Sequence, residues 1–120
     1  MKRLVVVLLT ALLAIASASA AQQKVELSKK EVKQLLEKAS TPQDHMKLAR
    51  HYTAKAKQYE AEAAEHADMA KMYRAQPTAS ETKRPGAADT AAHCEFIADS
   101  LTKAAKETRA LAATHEQMAK

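Results

Sequence analysis

The stretch DHMKLARHYTAKAKQYEAEAAEHADMAK, from Asp44 to Lys71, decides the fold of this chain because it occurs twice. It returns 49 residues later as HCEFIADSLTKAAKETRALAATHEQMAK, from His93 to Lys120. Eleven of the 28 aligned positions are identical. Because an offset of 49 residues is a whole number of heptads, both copies keep the same helical phase, and we expect two similar long helices.

Alanine recurs at every seventh residue in both copies. The two rows are Ala49, Ala56, Ala63 and Ala70 in the first copy, and Ala91, Ala98, Ala105, Ala112 and Ala119 in the second. Such a row lets two helices approach more closely than the usual separation of about 8–10 Å. The pattern resembles the Alacoil, an antiparallel pair of helices with alanine at every seventh position. The resemblance implies a tight hairpin and carries no biochemical function.

A short helix precedes the repeat. Ser28 and Glu31 have the spacing of a capping box, in which each side chain bonds the backbone amide of the other residue. This pair predicts a helix over about 29–39. One face of that helix is apolar at helical spacing and consists of Val32, Leu35, Leu36 and Ala39.

The two copies of the repeat predict two long helices. Thr41 suits the N-cap and Pro42 the first helical position, so the second helix runs over about 42–75. A polar loop over 76–88 contains the single glycine, and the third helix follows over about 90–119. The candidate N-caps of the third helix are Asp89 and Thr90.

The fold class is therefore all-α, with a short N-terminal helix and a long antiparallel alanine-rich helical hairpin. The hairpin alone has a thin core, because alanine buries little apolar surface. We therefore expect either a three-helix bundle or a dimer of hairpins, and a homo-oligomer is the expected partner state.

The N-terminus is typical of a cleaved secretory signal peptide over 1–20. Lys2 and Arg3 precede an apolar run from Leu4 to Ile15, and small residues follow up to Ala20. The run is shorter than the about 20 residues of a membrane span, although an uncleaved anchor is the alternative. We therefore expect a single helical domain over 21–120, periplasmic or secreted, with no stable membrane insertion after cleavage.

The charge pattern gives little support for nucleic-acid binding. The net charge is +5 for the whole chain and falls by two, to +3, once Lys2 and Arg3 are removed. The charges are interspersed, and aromatic residues make up 3% of the chain. The sequence contains neither a basic block nor an aromatic platform, so no nucleic-acid partner is expected.

A second heptad row beside the alanines carries most of the chemically distinctive side chains. It reads His45, Tyr52, Tyr59, His66 and Tyr73 in the first copy, and Cys94, Leu101, Thr108 and His115 in the second. In an antiparallel register that pairs Ala49 with Ala112, His45 comes beside His115. The same register pairs Ala63 with Ala98 and brings His66 beside Cys94. A register one heptad away would also stack the alanines and would separate these histidine and cysteine pairs. The repeat exchanges these two pairs, because its offset relates His45 to Cys94 and His66 to His115.

These neighbours define two candidate metal sites. The first consists of His66, Met69 and Cys94, with His93 or Met72 as a further ligand. The second consists of His45, His115 and Met118, with Met46 as a further ligand. Imidazole, thioether and thiolate ligands suit copper or zinc. The alternative is structural: histidines near helix ends cap carbonyls or fill space, and methionines at helical spacing pack in a core.

The single cysteine, Cys94, leaves three alternatives open: a buried small hydrophobe, an intermolecular disulfide or a metal ligand. Nucleophilic catalysis by Cys94 beside His66 or His93 lacks a third orienting group, so we do not expect an enzyme. The leading hypothesis is a small exported, non-enzymatic helical protein that acts by binding or self-association. A periplasmic copper- or zinc-binding protein is the alternative.

Overall fold

The computed structural model describes residues 27–76 and 86–120, which form three α-helices. They are α1 (Lys29–Lys38), α2 (Pro42–Arg74) and α3 (Ala87–Met118). No strand occurs within these described ranges. The all-α prediction is confirmed, and the bounds predicted for the first two helices differ from those found by one residue at the C-terminal ends.

The helix starts of α1 and α2 confirm the capping predictions. The Ser28 hydroxyl accepts a hydrogen bond from the Glu31 amide at 3.2 Å, and the Ser28 amide donates to the Glu31 carboxylate at 2.7 Å. The Thr41 hydroxyl accepts from the Asp44 amide at 3.2 Å, with Pro42 at the first helical position. Side chains therefore satisfy amide groups that have no partner inside the helix.

The start of α3 corrects a prediction, because neither Asp89 nor Thr90 is the N-cap. The helix begins at Ala87, directly after Gly86, whose backbone has a φ of 100° that favours glycine. Thr90 lies one turn inside the helix, where its hydroxyl donates to the Gly86 carbonyl at 2.8 Å. The predicted loop over 76–88 is therefore too long at its C-terminal end, and 77–85 lies outside the described residues.

The helices α2 and α3 pack against each other as an antiparallel hairpin. His45 near the start of α2 contacts His115 near the end of α3, and we name this the open end of the hairpin. Arg74 at the end of α2 contacts Glu95 near the start of α3, and we name this the linked end. All the alanines of the two rows are buried except Ala119, which is half-buried. The alanine rows therefore form the seam of the hairpin, as predicted.

The short helix α1 lies beside the hairpin and contacts α2. None of its residues is fully buried; Val32, Leu35 and Ala39 are half-buried, while Leu36 is exposed. The apolar face of α1 thus covers the hairpin in part. The helical hairpin is confirmed, while completion of a bundle by α1 or by a second hairpin stays a prediction.

The predicted signal peptide over 1–20 lies outside the described residues. Among the helices α1, α2 and α3, none combines the length and the apolar character needed to cross a membrane.

Candidate functional site

Two histidines meet at the open end of the hairpin, as the sequence predicts. The Nδ1 atoms of His45 and His115 lie 3.2 Å apart. The ring centroids are 5.4 Å apart, which exceeds the Nδ1 separation by about the radii of the two rings together. The nitrogens therefore point at each other, the geometry of an N–H···N hydrogen bond in which one imidazole donates and the other accepts.

The surroundings of this pair favour the neutral form of His115. Tyr52 stacks on His115 with a centroid distance of 5.6 Å and an interplanar angle of 14°. Partial burial, followed by the proximity of His45, lowers the pKa of His115 below its ordinary value of 6.5. The space between the facing nitrogens holds a single proton, so full protonation of both rings would place two like charges and two N–H groups against each other.

The same spacing bears on metal binding. Two imidazole nitrogens on one tetrahedral zinc ion lie about 3.3 Å apart, given Zn–N bonds of about 2.0–2.1 Å. The observed 3.2 Å is close to this value. The rings would have to tilt, because lone pairs that now face each other would need to converge on the metal. Two methionines near the pair, Met46 and Met118, are exposed.

The linked end of the hairpin holds His66 and Cys94, which the repeat relates to His115 and His45. The Nδ1 atom of His66 is buried and has no hydrogen-bond partner, and Cys94 is 8% exposed. Of the other residues in the predicted first site, Met69 is half-buried, whereas His93 and Met72 are exposed. Across 27–76 and 86–120, no three His, Cys, Asp or Glu side chains are grouped as metal ligands.

Two ion pairs join α2 and α3 on the side of the hairpin seam opposite to the histidines. Arg109 donates to both carboxylate oxygens of Glu60 at 2.6 and 2.7 Å, and Arg74 does the same to Glu95 at 2.5 and 2.6 Å. The guanidinium hydrogen bonds lower the pKa of both carboxyl groups below the ordinary value of 4.5. These pairs were not among the predicted contacts. The sequence nevertheless indicates them, since all four residues share the heptad row four positions after the alanines.

The contacts between α2 and α3 limit the possible registers of the hairpin to a narrow range. Level residues in an antiparallel pair have numbers with a constant sum, which is 160 for His45 and His115 and 169 for both ion pairs. The residue level with Ala63 therefore lies between 97 and 106. The predicted facing of Ala63 and Ala98 falls in this window, and the choice between Ala98 and Ala105 stays a prediction.

A cleft of about 520 Å³ separates α1 from the hairpin. Val32 and Leu36 of α1 line one wall, and Tyr52, Tyr59 and Thr108 line the other. This cleft could not be predicted from the sequence, because the amphipathic pattern of α1 gives its apolar face but not its distance from the hairpin.

A heptad row of α3, which we name the α3 row, lies next to the alanine row and is largely exposed. It consists of Ile97, Ala104, Leu111 and Met118. Its three large side chains are exposed, Leu111 to 49%, and the neighbouring Phe96 is 73% exposed. The equivalent row of α2 differs in chemistry, since it carries Lys55 and Glu62 where α3 has Ala104 and Leu111. The two copies of the repeat therefore differ in polarity at these positions.

Comparison with known protein families, curated proteins and solved structures finds no match to this chain.

Proposed function

We propose that this protein is a small exported α-helical hairpin without enzymatic activity, which acts by binding and above all by pairing with a second copy of itself. The observation that carries the proposal is the exposed α3 row, with Ile97 and Leu111 separated by two heptads. Exposed apolar side chains in a continuous patch mark interaction surfaces. A row with a period of seven residues fits another helix.

The α3 row is self-complementary when two copies meet in antiparallel orientation. A two-fold axis at Ala104 places Ile97 against Leu111 of the partner subunit, and the reverse contact follows by symmetry. The small Ala104 at the centre allows the two helices to approach closely, as alanine does in the hairpin seam. Two hairpins joined in this way form a four-helix assembly, which is the expected dimer of hairpins.

The charges beside the α3 row fit the same arrangement. Lys103 and Glu107 flank Ala104 and are exposed, and neither forms an ion pair within the described parts of the chain. With the axis at Ala104, Lys103 lies close to the level of both Glu107 of the partner subunit and Lys103 of the partner subunit. The symmetry supplies the Lys103–Glu107 pair twice and the contact between the two lysines once, so the attractive pairs outnumber the repulsive one and favour a second copy as the occupant of the face.

Sedimentation velocity tests self-association. Protein expressed from the full-length sequence and purified after export is measured under reducing conditions over the micromolar range. The proposal expects a dimer or larger species. A monomer at every concentration would refute self-association.

Variants then test the α3 row itself. Lys103→Glu or Glu107→Lys should weaken the dimer by placing like charges together twice, and the double variant should restore it. Leu111→Lys should also weaken the dimer while leaving the far-UV circular dichroism unchanged, because this side chain is exposed in the hairpin. Lys106→Glu is the matched control on another face of α3. A dimer insensitive to all these changes would place the interface elsewhere.

Metal binding is the second candidate function, favoured by the 3.2 Å separation of the His45 and His115 nitrogens. Copper or zinc at the open end would use these two imidazoles, with Met118 or Met46 completing the ligands. The related site at the linked end would use His66 and Cys94 with Met69. Binding requires neutral imidazole and ionised thiol, so affinity should fall as the pH drops toward about 5.

The test of metal binding is a titration of reduced protein with Cu(I) and Zn(II), compared with the double variant His66→Ala/His115→Ala. A site in the folded state should raise the melting temperature of the wild type and not of the variant. Lys106→Ala, at an exposed position of α3 outside both candidate sites, is the control. Equal weak binding by wild type and double variant would leave the histidines with a structural role.

A further inference from the structure

We infer that the cleft between α1 and the hairpin binds a single-chain amphipathic anion, with its apolar chain inside the cleft and its acidic head at the rim. The cleft volume of about 520 Å³ lies within the range of about 300–1,000 Å³ that is usual for small-molecule sites. The inference is independent of self-association, because the cleft and the α3 row are different surfaces.

The apolar part of the ligand follows from the walls of the cleft. Val32 and Leu36 present aliphatic side chains from α1, and Tyr52 and Tyr59 present rings from α2. All four contact the same space, and Leu36 is exposed despite its apolar character. An acyl chain between these walls would remove their apolar surface from water, which stabilises the complex.

The acidic head follows from the charges of the lining. Lys29, Lys33 and Lys55 all line the cleft, and no carboxylate does so among its described lining residues. Lys33 forms an exposed ion pair with Glu37 at 3.9 Å, and Lys55 lies over the Tyr59 ring at 4.9 Å from its centroid. Such exposed contacts exchange readily with a ligand carboxylate. Three cations around an apolar cleft therefore favour an anionic amphiphile over a cationic or neutral one.

Calorimetric titration tests the inference with a series of alkyl carboxylates below their micelle concentrations. Octanoate, decanoate and dodecanoate should bind with affinity rising about fourfold per methylene group as long as the added carbon enters the cleft. Dodecyltrimethylammonium, which has the same chain and the opposite charge, should bind at least about tenfold more weakly. Similar affinity for the anion and the cation would overturn the inference.

Variants separate this site from general surface binding. Lys29→Glu/Lys33→Glu should weaken decanoate binding, and Val32→Asp should weaken it by placing a charge in the chain site. Lys106→Glu, a charge reversal on a face of α3 remote from the cleft, should leave the affinity unchanged. Binding equally affected by Lys106→Glu, or unaffected by the cleft variants, contradicts the assignment. Binding to anionic vesicles with no binding of monomeric carboxylates would also overturn it, because that result indicates a membrane surface.

Discussion

Glu60 and Arg109 occupy the same position in the two copies of the repeat, and they bind each other across the hairpin. Their separation of 49 residues equals the repeat offset. A contact between repeat-related residues lies at the centre of an internal two-fold relationship. The hairpin is therefore two copies of one helix, and the ends that carry His45 with His115 and His66 with Cys94 are related by that two-fold.

Reversing the charge at this centre should lower the melting temperature of the hairpin. In Glu60→Arg, two guanidinium groups face each other in place of the bidentate ion pair. The double variant Glu60→Arg/Arg109→Glu should recover most of the loss, and the difference should shrink at high salt because the pair is partly exposed. Thermal melts followed by far-UV circular dichroism measure the effect.

The control for this prediction is Glu65→Arg, which makes the same change at an exposed position of α2 outside the seam. If Glu60→Arg and Glu65→Arg melt alike, the ion pair does not hold the helices in register.

Enlarging a seam alanine should destabilise the hairpin. Ala105 is 2% exposed, so the larger side chain in Ala105→Leu would force the helices apart at a cost of about 1–3 kcal/mol. Ala110→Leu, on an exposed face of the same helix, is the matched control and should be nearly neutral. Denaturant unfolding measures both, and an unchanged stability of Ala105→Leu would show that the alanine row is not the tight interface.

Cys94 should react slowly with thiol reagents in the native protein. Its 8% exposure leaves little of the side chain accessible, which favours the buried-hydrophobe interpretation over an intermolecular disulfide. Alkylation with iodoacetamide, monitored by mass spectrometry, should accelerate strongly in denaturant. The comparison His93→Cys/Cys94→Ala places a thiol at the exposed neighbouring position and should react quickly when folded. Equal native rates for the two thiols would contradict the burial of Cys94.

Local signals and periodicity were sufficient to predict most of the architecture. The capping box at Ser28 depends on residues three positions apart, and the seam depends on a strict seven-residue period. The contact of His45 with His115 was predicted by one of the two registers that stack the alanines, and the structure contains that contact. These features depend on spacing along the helix, which the sequence specifies directly.

Other features depend on competition between neighbours or on weak packing. Gly86 and Asp89 both suit a helix start, and α3 begins after Gly86, whose φ of 100° a glycine adopts without steric cost. The cleft depends on how α1 rests on α2, where few side chains are buried. Periodicity gives the apolar face of α1 but does not determine its depth of packing.

The facing histidines should make the stability of the hairpin fall as the pH drops below about 6.5. Burial and the proximity of His45 lower the pKa of His115 in the folded chain, whereas the unfolded chain has the ordinary value of 6.5. The unfolded state therefore binds more protons below that value, so the stabilisation is complete above pH 6.5 and is lost as the pH falls through the folded-state pKa.

In His115→Gln, the melting temperature should vary less over this pH range, while His93→Gln should behave like the wild type because His93 is exposed. The carboxylates of Glu60 and Glu95 titrate below their ordinary 4.5, so their contribution is lost at lower pH and does not mask the histidine effect. Thermal melts at closely spaced pH values measure this, and identical profiles for the wild type and His115→Gln would exclude the histidine pair as their origin.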